Sequence, residues 1–228
     1  MTRRPVLVGL VLWALLASAA PVALRAQVRA PEAPTPVLLV PGWSEGASSL
    51  EVLRSRLLEA GWRESGVAVV DFRDPVGSNR EHAREIALAA AALREASGSP
   101  TIDVVAHSMG GLAVRYYLRN RGTSTGDVRR VVFLATPHFG TYSSLVAWGE
   151  GAREMLPGSD FLMTLMAGRP VPHGVDALTI RTPLDLHILP LESAQIPGVP
   201  DMIVCCPTHT GLLDDSEVFR RIEAFLRG

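Results

Sequence analysis

From Pro36 to the C-terminus, short apolar runs alternate with stretches of helical spacing, and this rhythm leaves few folds open. Val37–Val40 is an apolar run stopped by Pro41-Gly42 and reads as a buried strand. Residues 50–60 read as a helix closed by Gly61, and 67–72 as a second strand. In the Ala-rich stretch 81–96, His82, Ile86, Ala89, Ala90 and Leu93 fall at helical spacing, and Gly98-Ser99-Pro100 ends it. The pattern then predicts a strand over 102–106, a helix over 109–118 and strands over 128–134, 178–181 and 202–206. Val218, Ile222, Phe225 and Leu226 make the apolar face of a terminal helix, with Asp214 and Glu217 as its capping pair. Short apolar strands between helices must be covered on both faces. The expected fold is therefore α/β, with about six mostly parallel strands flanked by helices. In such sheets ligands lie outside the carboxyl ends of the strands, so active residues should follow strands directly.

The N-terminus departs from this rhythm. Arg3 and Arg4 precede an apolar run over 6–20, the charged and hydrophobic regions of an export signal. The run is short for a membrane span of about 20 residues. Ala17-Ser18-Ala19 and the Ala26-Gln27 junction both offer cleavage sites. Residues 1–26 are read as a signal peptide, 27–36 as a Pro-rich linker and 37–228 as one domain, which predicts a secreted or periplasmic protein. A formal net charge of −1 provides no basic footprint, so nucleic acid is not an expected partner. The two cysteines, Cys205 and Cys206, are adjacent in an apolar run. A bond between neighbours needs a strained geometry, so they are expected to be two small buried hydrophobes.

The segment 102–111 carries the clearest chemical signal. An apolar strand runs into Ala106-His107-Ser108-Met109-Gly110-Gly111, and a helix follows at once. A tight strand-to-helix turn lifts a Ser hydroxyl above the sheet, and small residues on either side let strand and helix approach closely. Ser108 is the expected nucleophile. Acyl transfer develops a negative oxygen, and N–H donors must be aimed at it in advance. The N–H of Met109 is one expected donor and that of Trp43, in Val40-Pro41-Gly42-Trp43, the other.

A Ser hydroxyl also needs a base within reach. Among six histidines, His209 sits in Pro207-Thr208-His209-Thr210-Gly211, between the last strand and the last helix. Asp185, in Thr182-Pro183-Leu184-Asp185 after the preceding strand, is the expected acid, with Glu192 as the alternative. The stretch 141–172 breaks the alternation and is rich in Trp, Phe, Leu and Met. It reads either as a crossover helix packed on the sheet or as a helical flap over the cleft.

Together these segments resemble the small bacterial lipases of the α/β-hydrolase fold. The likeness runs from about Val37 to the C-terminus. It rests on Ala106-His107-Ser108-Met109-Gly110-Gly111, on Val69-Val70-Asp71-Phe72 followed by Gly77-Ser78-Asn79, on Asp185, and on His209-x-Gly211-Leu212-Leu213. Thr136-Pro137-His138-Phe139-Gly140 is similar to a segment common in lipases and esterases of this fold. Pro41-Gly42 stands where the family usually has His-Gly, and 141–172 is longer than in lid-free members. The resemblance implies an esterase or lipase working through Ser108, Asp185 and His209, without metal or organic cofactor. Its substrate would be a small-molecule or lipid ester, met as a monomer in transient contact with a lipid interface. Acyltransferases and thioesterases use the same triad, and an inactive binding module could share the fold.

Overall fold

The computed structural model describes residues 33–120 and 127–228. The expected signal peptide lies outside these residues, as does most of the expected linker. Of the linker, the Thr35 carbonyl accepts from Trp62 Nε1 and the Pro36 carbonyl from Asp103 N–H, so its end is already docked on the sheet.

Six strands form one sheet: β1 Val37–Val40, β2 Val67–Val69, β3 Ile102–His107, β4 Val128–Leu134, β5 Asp176–Arg181 and β6 Asp201–Ile203. Their order is β2-β1-β3-β4-β5-β6, and every neighbouring pair is parallel. The chain leaves β1 for the edge strand β2, returns past β1 to β3, and then winds steadily the other way. The loops after β1 and β3 therefore diverge at the switch point, where a crevice opens at the carboxyl ends of the strands.

Strand periodicity divides the core into two layers. Val37, Leu39, Val105, Val132 and Leu134 face one side. There they meet Leu53 and Leu57 of α1 (Glu51–Glu59) and Val218, Ile222 and Leu226 of α6 (Ser216–Arg227). Leu38, Val40, Val104, Ala106 and Phe133 face the other. They pack on Ile86, Ala90 and Leu93 of α2 (Asn79–Ser97) and on Ala113, Val114 and Leu118 of α3 (Met109–Asn120). Each buried Leu or Ile contributes about 1.5–3 kcal/mol relative to exposure, so a one-residue slip in any central strand would turn that gain into a loss.

Several local expectations are corrected. β2 ends at Val69 and β6 at Ile203, short of the predicted 72 and 206. β6 is an edge strand with two of its three residues exposed, so the apolar run after it is not a buried strand. Cys205 and Cys206 are accordingly exposed rather than buried in the core. The cap of α6 is Asp215, not Asp214: its carboxylate accepts from the Glu217 and Val218 N–H groups.

The segment 141–172 is not one continuous crossover helix. A 3₁₀ turn covers Tyr142–Val146, and two short helices follow, α4 (Gly149–Glu154) and α5 (Asp160–Met166). Phe161, Leu162 and Leu165 of α5, with Met155, bury against Met109 and Leu112 of α3. Glu154, itself buried, takes hydrogen bonds from Ser78 Oγ (2.7 Å), Asn79 N–H (2.6 Å), Asn79 Nδ2 (2.9 Å) and Arg80 Nη1 (2.8 Å). This carboxylate occupies the N-terminus of α2, where unpaired N–H groups and the helix dipole favour a negative charge.

Candidate active site

The position of Ser108, the expected nucleophile, is set by backbone geometry. Ser108 follows β3 directly and has φ = 50°, in the left-handed region that side chains other than glycine seldom enter. Such a residue costs on the order of 1–3 kcal/mol and persists only where its surroundings impose it. Here they do. Ser108 N–H donates to the Leu134 carbonyl (2.8 Å), and the Ser108 carbonyl accepts from Gly111 N–H (3.0 Å). A Cβ at Gly110 would strike the Pro41 carbonyl, and one at Gly111 would strike the Thr136 side chain. Both positions therefore demand glycine, and α3 can close down on β1 and on the turn after β4. Ala106 is fully buried in the same turn, so a methyl group fits where many elbows have hydrogen.

Asp185 and His209 are brought together by an extension of the sheet. Beyond β5 and β6, Leu184 and Thr208 form an isolated parallel bridge, and Thr182 Oγ1 donates to the Pro207 carbonyl (2.7 Å). The loops that carry the acid and the base thus run side by side. Asp185 Oδ1 accepts from the His187 and Ile188 N–H groups (2.8 and 3.0 Å), which fixes the carboxylate. Its Oδ2 lies 2.7 Å from His209 Nδ1, and His209 Nε2 lies 2.9 Å from Ser108 Oγ. With Nδ1–H donated to Asp185, the Nε2 lone pair is left to accept the Ser108 hydroxyl proton. Glu192 is exposed in the 3₁₀ turn Leu191–Ala194, away from this relay.

Electrostatics favour a base that rests neutral. Burial lowers the His209 pKa; the neighbouring His107 and His187 push the same way, against the hydrogen bond and charge of Asp185. Burial would raise the Asp185 pKa, but its hydrogen bond and attraction to His209, with the His187 and Ile188 N–H groups, hold it below the ordinary carboxylate value. At neutral pH the relay is therefore Asp185 carboxylate, neutral imidazole, hydroxyl.

The two expected oxyanion donors flank Ser108. Met109 is the first residue of α3, so its N–H has no partner within the helix. The Trp43 N–H finds no acceptor among the described residues. Its loop passes directly over the nucleophile: a Cβ at Gly42 would come within 2.9 Å of Ser108 Cβ. The Trp43 ring meets Trp148 edge to face at 4.5 Å, and its Nε1 donates to the Trp148 carbonyl (3.0 Å).

Ser108 and His209 open onto a cleft of about 590 Å³, walled by Trp43, Trp148, Val146, Met155, Leu186 and Ile188 among others. Its rim is apolar and open to solvent, with Val146 89 %, Leu186 80 % and Trp148 63 % exposed. Asp185, His187 and His209 also place three metal-ligating atoms within 4.8 Å of one another. Two of these residues are already bound to each other in the 2.7 Å hydrogen bond, so a metal there would displace the relay.

Two acids, the buried Glu154 and the half-buried Glu45, escaped the sequence reading. Glu154 anchors α4, and Glu45 lies in the loop after β1, against His107. Neither belongs to a motif, and their partners lie 75 and 62 residues away in the chain.

Residues 35–167 match the family model for the alpha/beta hydrolase fold, and the chain belongs to that family. The matched stretch includes Trp43, Ser108 and Met109 and stops short of Asp185 and His209. Among solved structures, the chain is similar to lipase B of Aspergillus fumigatus, at 20 % identity and a TM-score of 0.75 over 86 % of this chain. It spans only 52 % of that lipase. It is also similar to the mature Bacillus licheniformis lipase BlEst2, at 15 % identity and a TM-score of 0.71, covering 87 % of this chain and 95 % of that one. A gene product of Listeria innocua matches at 15 % identity and a TM-score of 0.63, over 85 % and 94 % of the two chains. At these identities the likeness concerns the fold.

Proposed function

We propose that the protein is a serine hydrolase that cleaves carboxylic esters, lipid esters among them, by two-step acyl transfer through Ser108. The relay Ser108 Oγ to His209 Nε2 (2.9 Å) and His209 Nδ1 to Asp185 Oδ2 (2.7 Å) carries this reading. His209 accepts the hydroxyl proton as Ser108 Oγ bonds to the ester carbonyl carbon. The Trp43 and Met109 N–H groups then hold the oxyanion. His209 returns its proton to the leaving alcohol oxygen as the ester C–O bond breaks. Water repeats the sequence on the acyl-enzyme, with His209 again as base, and releases the acid. The scheme draws on no group beyond these residues and water. The apolar, exposed rim suits an acyl chain presented from a lipid interface and met by a monomer. Two of the structural neighbours are lipases, which fits the same reading.

Ser108→Ala should remove nearly all hydrolysis of p-nitrophenyl esters while the thermal midpoint holds, because loss of a triad nucleophile costs on the order of 10⁶-fold in turnover. Retention of a substantial part of the activity would sink the assignment. A fluorophosphonate probe should label the parent protein at Ser108 and leave the variant unlabelled. Product analysis in water against an alcohol acceptor separates a hydrolase from an acyltransferase. Export is part of the proposal, from Arg3-Arg4 and the apolar run over 6–20. N-terminal sequencing of native material should find a mature chain starting near Ala20 or Gln27.

A further inference from the structure

Beneath the triad runs a second, largely buried line of polar contacts that joins three loops. Glu45 Oε2 accepts the Gly42 N–H (2.6 Å) and lies 2.9 Å from His107 Nδ1. The other ring nitrogen of His107, Nε2, lies 3.3 Å from the His209 carbonyl oxygen. His107 is fully buried and its ring sits 4.7 Å from that of His209. Both His107 nitrogens thus face oxygen atoms, so the ring links the Glu45 turn to the His209 backbone. Burial would raise the Glu45 pKa, yet the charge and hydrogen bond of His107, with the Gly42 N–H, hold it below the ordinary value.

The turn that Glu45 closes needs such support. Ser44 has φ = 58°, the left-handed region again, and only the Ser44 N–H to Pro75 carbonyl bond (2.9 Å) and the Glu45 N–H to Gly42 carbonyl bond (3.3 Å) hold its backbone otherwise. Gly42 has no room for a side chain, because Ser108 Cβ lies in the way. The turn cannot be pinned from the substrate side, and an oxyanion donor is useful only if it is aimed before the charge appears.

We propose that Glu45 is a positioning residue of the hydrolysis: through Gly42 it aims the Trp43 N–H at the oxyanion, and through His107 it registers that turn with the loop carrying His209. Glu45 touches no reacting atom. His209 itself is faced by Asp185, His107, His187 and Glu45. The inference rests on the serine hydrolase reading.

The test is steady-state kinetics with inhibition by a boronic acid, which mimics the tetrahedral intermediate. Glu45→Ala should lower kcat roughly 10- to 100-fold, less than outright removal of an oxyanion donor, with KM little changed. Affinity for the boronic acid should weaken by a similar factor, since the lost contact matters only in the transition state. Glu45→Gln should restore most of the loss, because an amide oxygen in the place of Oε2 can accept from both the Gly42 N–H and His107 Nδ1–H. Should Glu45→Ala fail to fold, His107→Phe keeps the ring volume, cuts the same line and carries the same expectation. A kcat and boronic acid affinity indistinguishable from the parent's in the folded variant would overturn the proposal. So would a loss that appears in KM alone. If the parent itself neither labels with fluorophosphonate nor hydrolyses esters, the hydrolase reading falls. If the parent does both and the variants match it, only the role of Glu45 falls.

Discussion

The segments 102–120 and 141–166 wall the same cleft, and they are built in different ways. In the first, nearly every residue is buried, and the reactive group is placed by backbone: a parallel strand, one left-handed residue and a helix forced close by two glycines. In the second, placement rests on side chains. One carboxylate, Glu154, and three apolar residues of α5 hold α4 and α5 down, while Tyr142, Leu145, Val146 and Trp148 stay exposed. Backbone-placed chemistry tolerates little change anywhere near it. Side-chain-placed walls can lose or alter a contact piecemeal. The two segments should therefore respond differently to substitution, catalysis failing without unfolding in one and stability or substrate preference shifting without loss of chemistry in the other.

The largest effect after loss of Ser108 itself should come from the acid. Asp185→Asn keeps the shape of the side chain but lets Nδ1 of His209 face an N–H donor, so the ring is no longer held in the productive tautomer. In the serine-protease case that change lowers turnover about 10⁴-fold with the geometry intact. A similar collapse of kcat is expected here, with little change in the thermal midpoint. Glu192→Gln should be nearly silent, since Glu192 is exposed and outside the relay. The reverse pattern in paired kinetics would remove Asp185 from the relay and leave Ser108 and His209 in place. The double variant shows whether a neighbouring carboxylate substitutes.

What was legible in the sequence follows the same division. The strand, the turn and the small residues around Ser108 are contiguous, so residues 102–111 display their geometry in one line of text. The meeting of Asp185 and His209 beside Ser108 could be anticipated because loops that directly follow parallel strands gather at one edge of the sheet, a rule of topology rather than of contact. The cap of α6 was misplaced by one residue, because Asp214 and Asp215 look alike until the backbone shows which carboxylate meets the Glu217 and Val218 N–H groups. Cys205 and Cys206 were misread because an apolar run was taken as a buried strand, and β6 stops before it at an exposed edge. Glu45 and Glu154 were invisible for a different reason. Glu154 meets Ser78, Asn79 and Arg80, and Glu45 meets His107, across a long stretch of chain; only the Gly42 contact of Glu45 is local, and no local pattern marks either carboxylate. The nearest hint for Glu45 was the replacement of the usual His-Gly by Pro41-Gly42, a change in how the oxyanion turn is held.

The second segment should fail through stability. Glu154→Ala strips four hydrogen bonds from the start of α2 and leaves the buried Asn79 N–H and amide without their acceptor. Buried donors left unpaired cost about 1–3 kcal/mol each, so a loss of about 3 kcal/mol and a fall in Tm of about 10 °C are expected by calorimetry. Turnover of a short-chain ester by the folded fraction should change little. An unchanged Tm with increased activity on long-chain esters would mean that α4 and α5 are a movable cover rather than a fixed wall. Removal of 148–161 in one piece takes Glu154 with it, and unfolding is the expected outcome.

The smallest and most selective effect belongs to the rim. Val146 and Leu186 are 89 % and 80 % exposed, so neither adds core packing, and polar replacements there should move stability by no more than about 0.5 kcal/mol. If an acyl chain lies along them, each methylene removed from water contributes about 0.8 kcal/mol, or roughly fourfold in apparent affinity. The pair Val146→Ser and Leu186→Ser should therefore raise KM several-fold for an ester with a long acyl chain, leave the acetate ester almost untouched, and blunt any jump in rate as a long-chain substrate passes from monomer to emulsion. Because these residues contact neither Ser108 nor His209 through any hydrogen bond, kcat on the short ester serves as the internal control. An equal loss on short and long esters would place Val146 and Leu186 in the support of the triad rather than in the path of the chain. No change on either ester would leave the exposed rim to some use other than substrate binding.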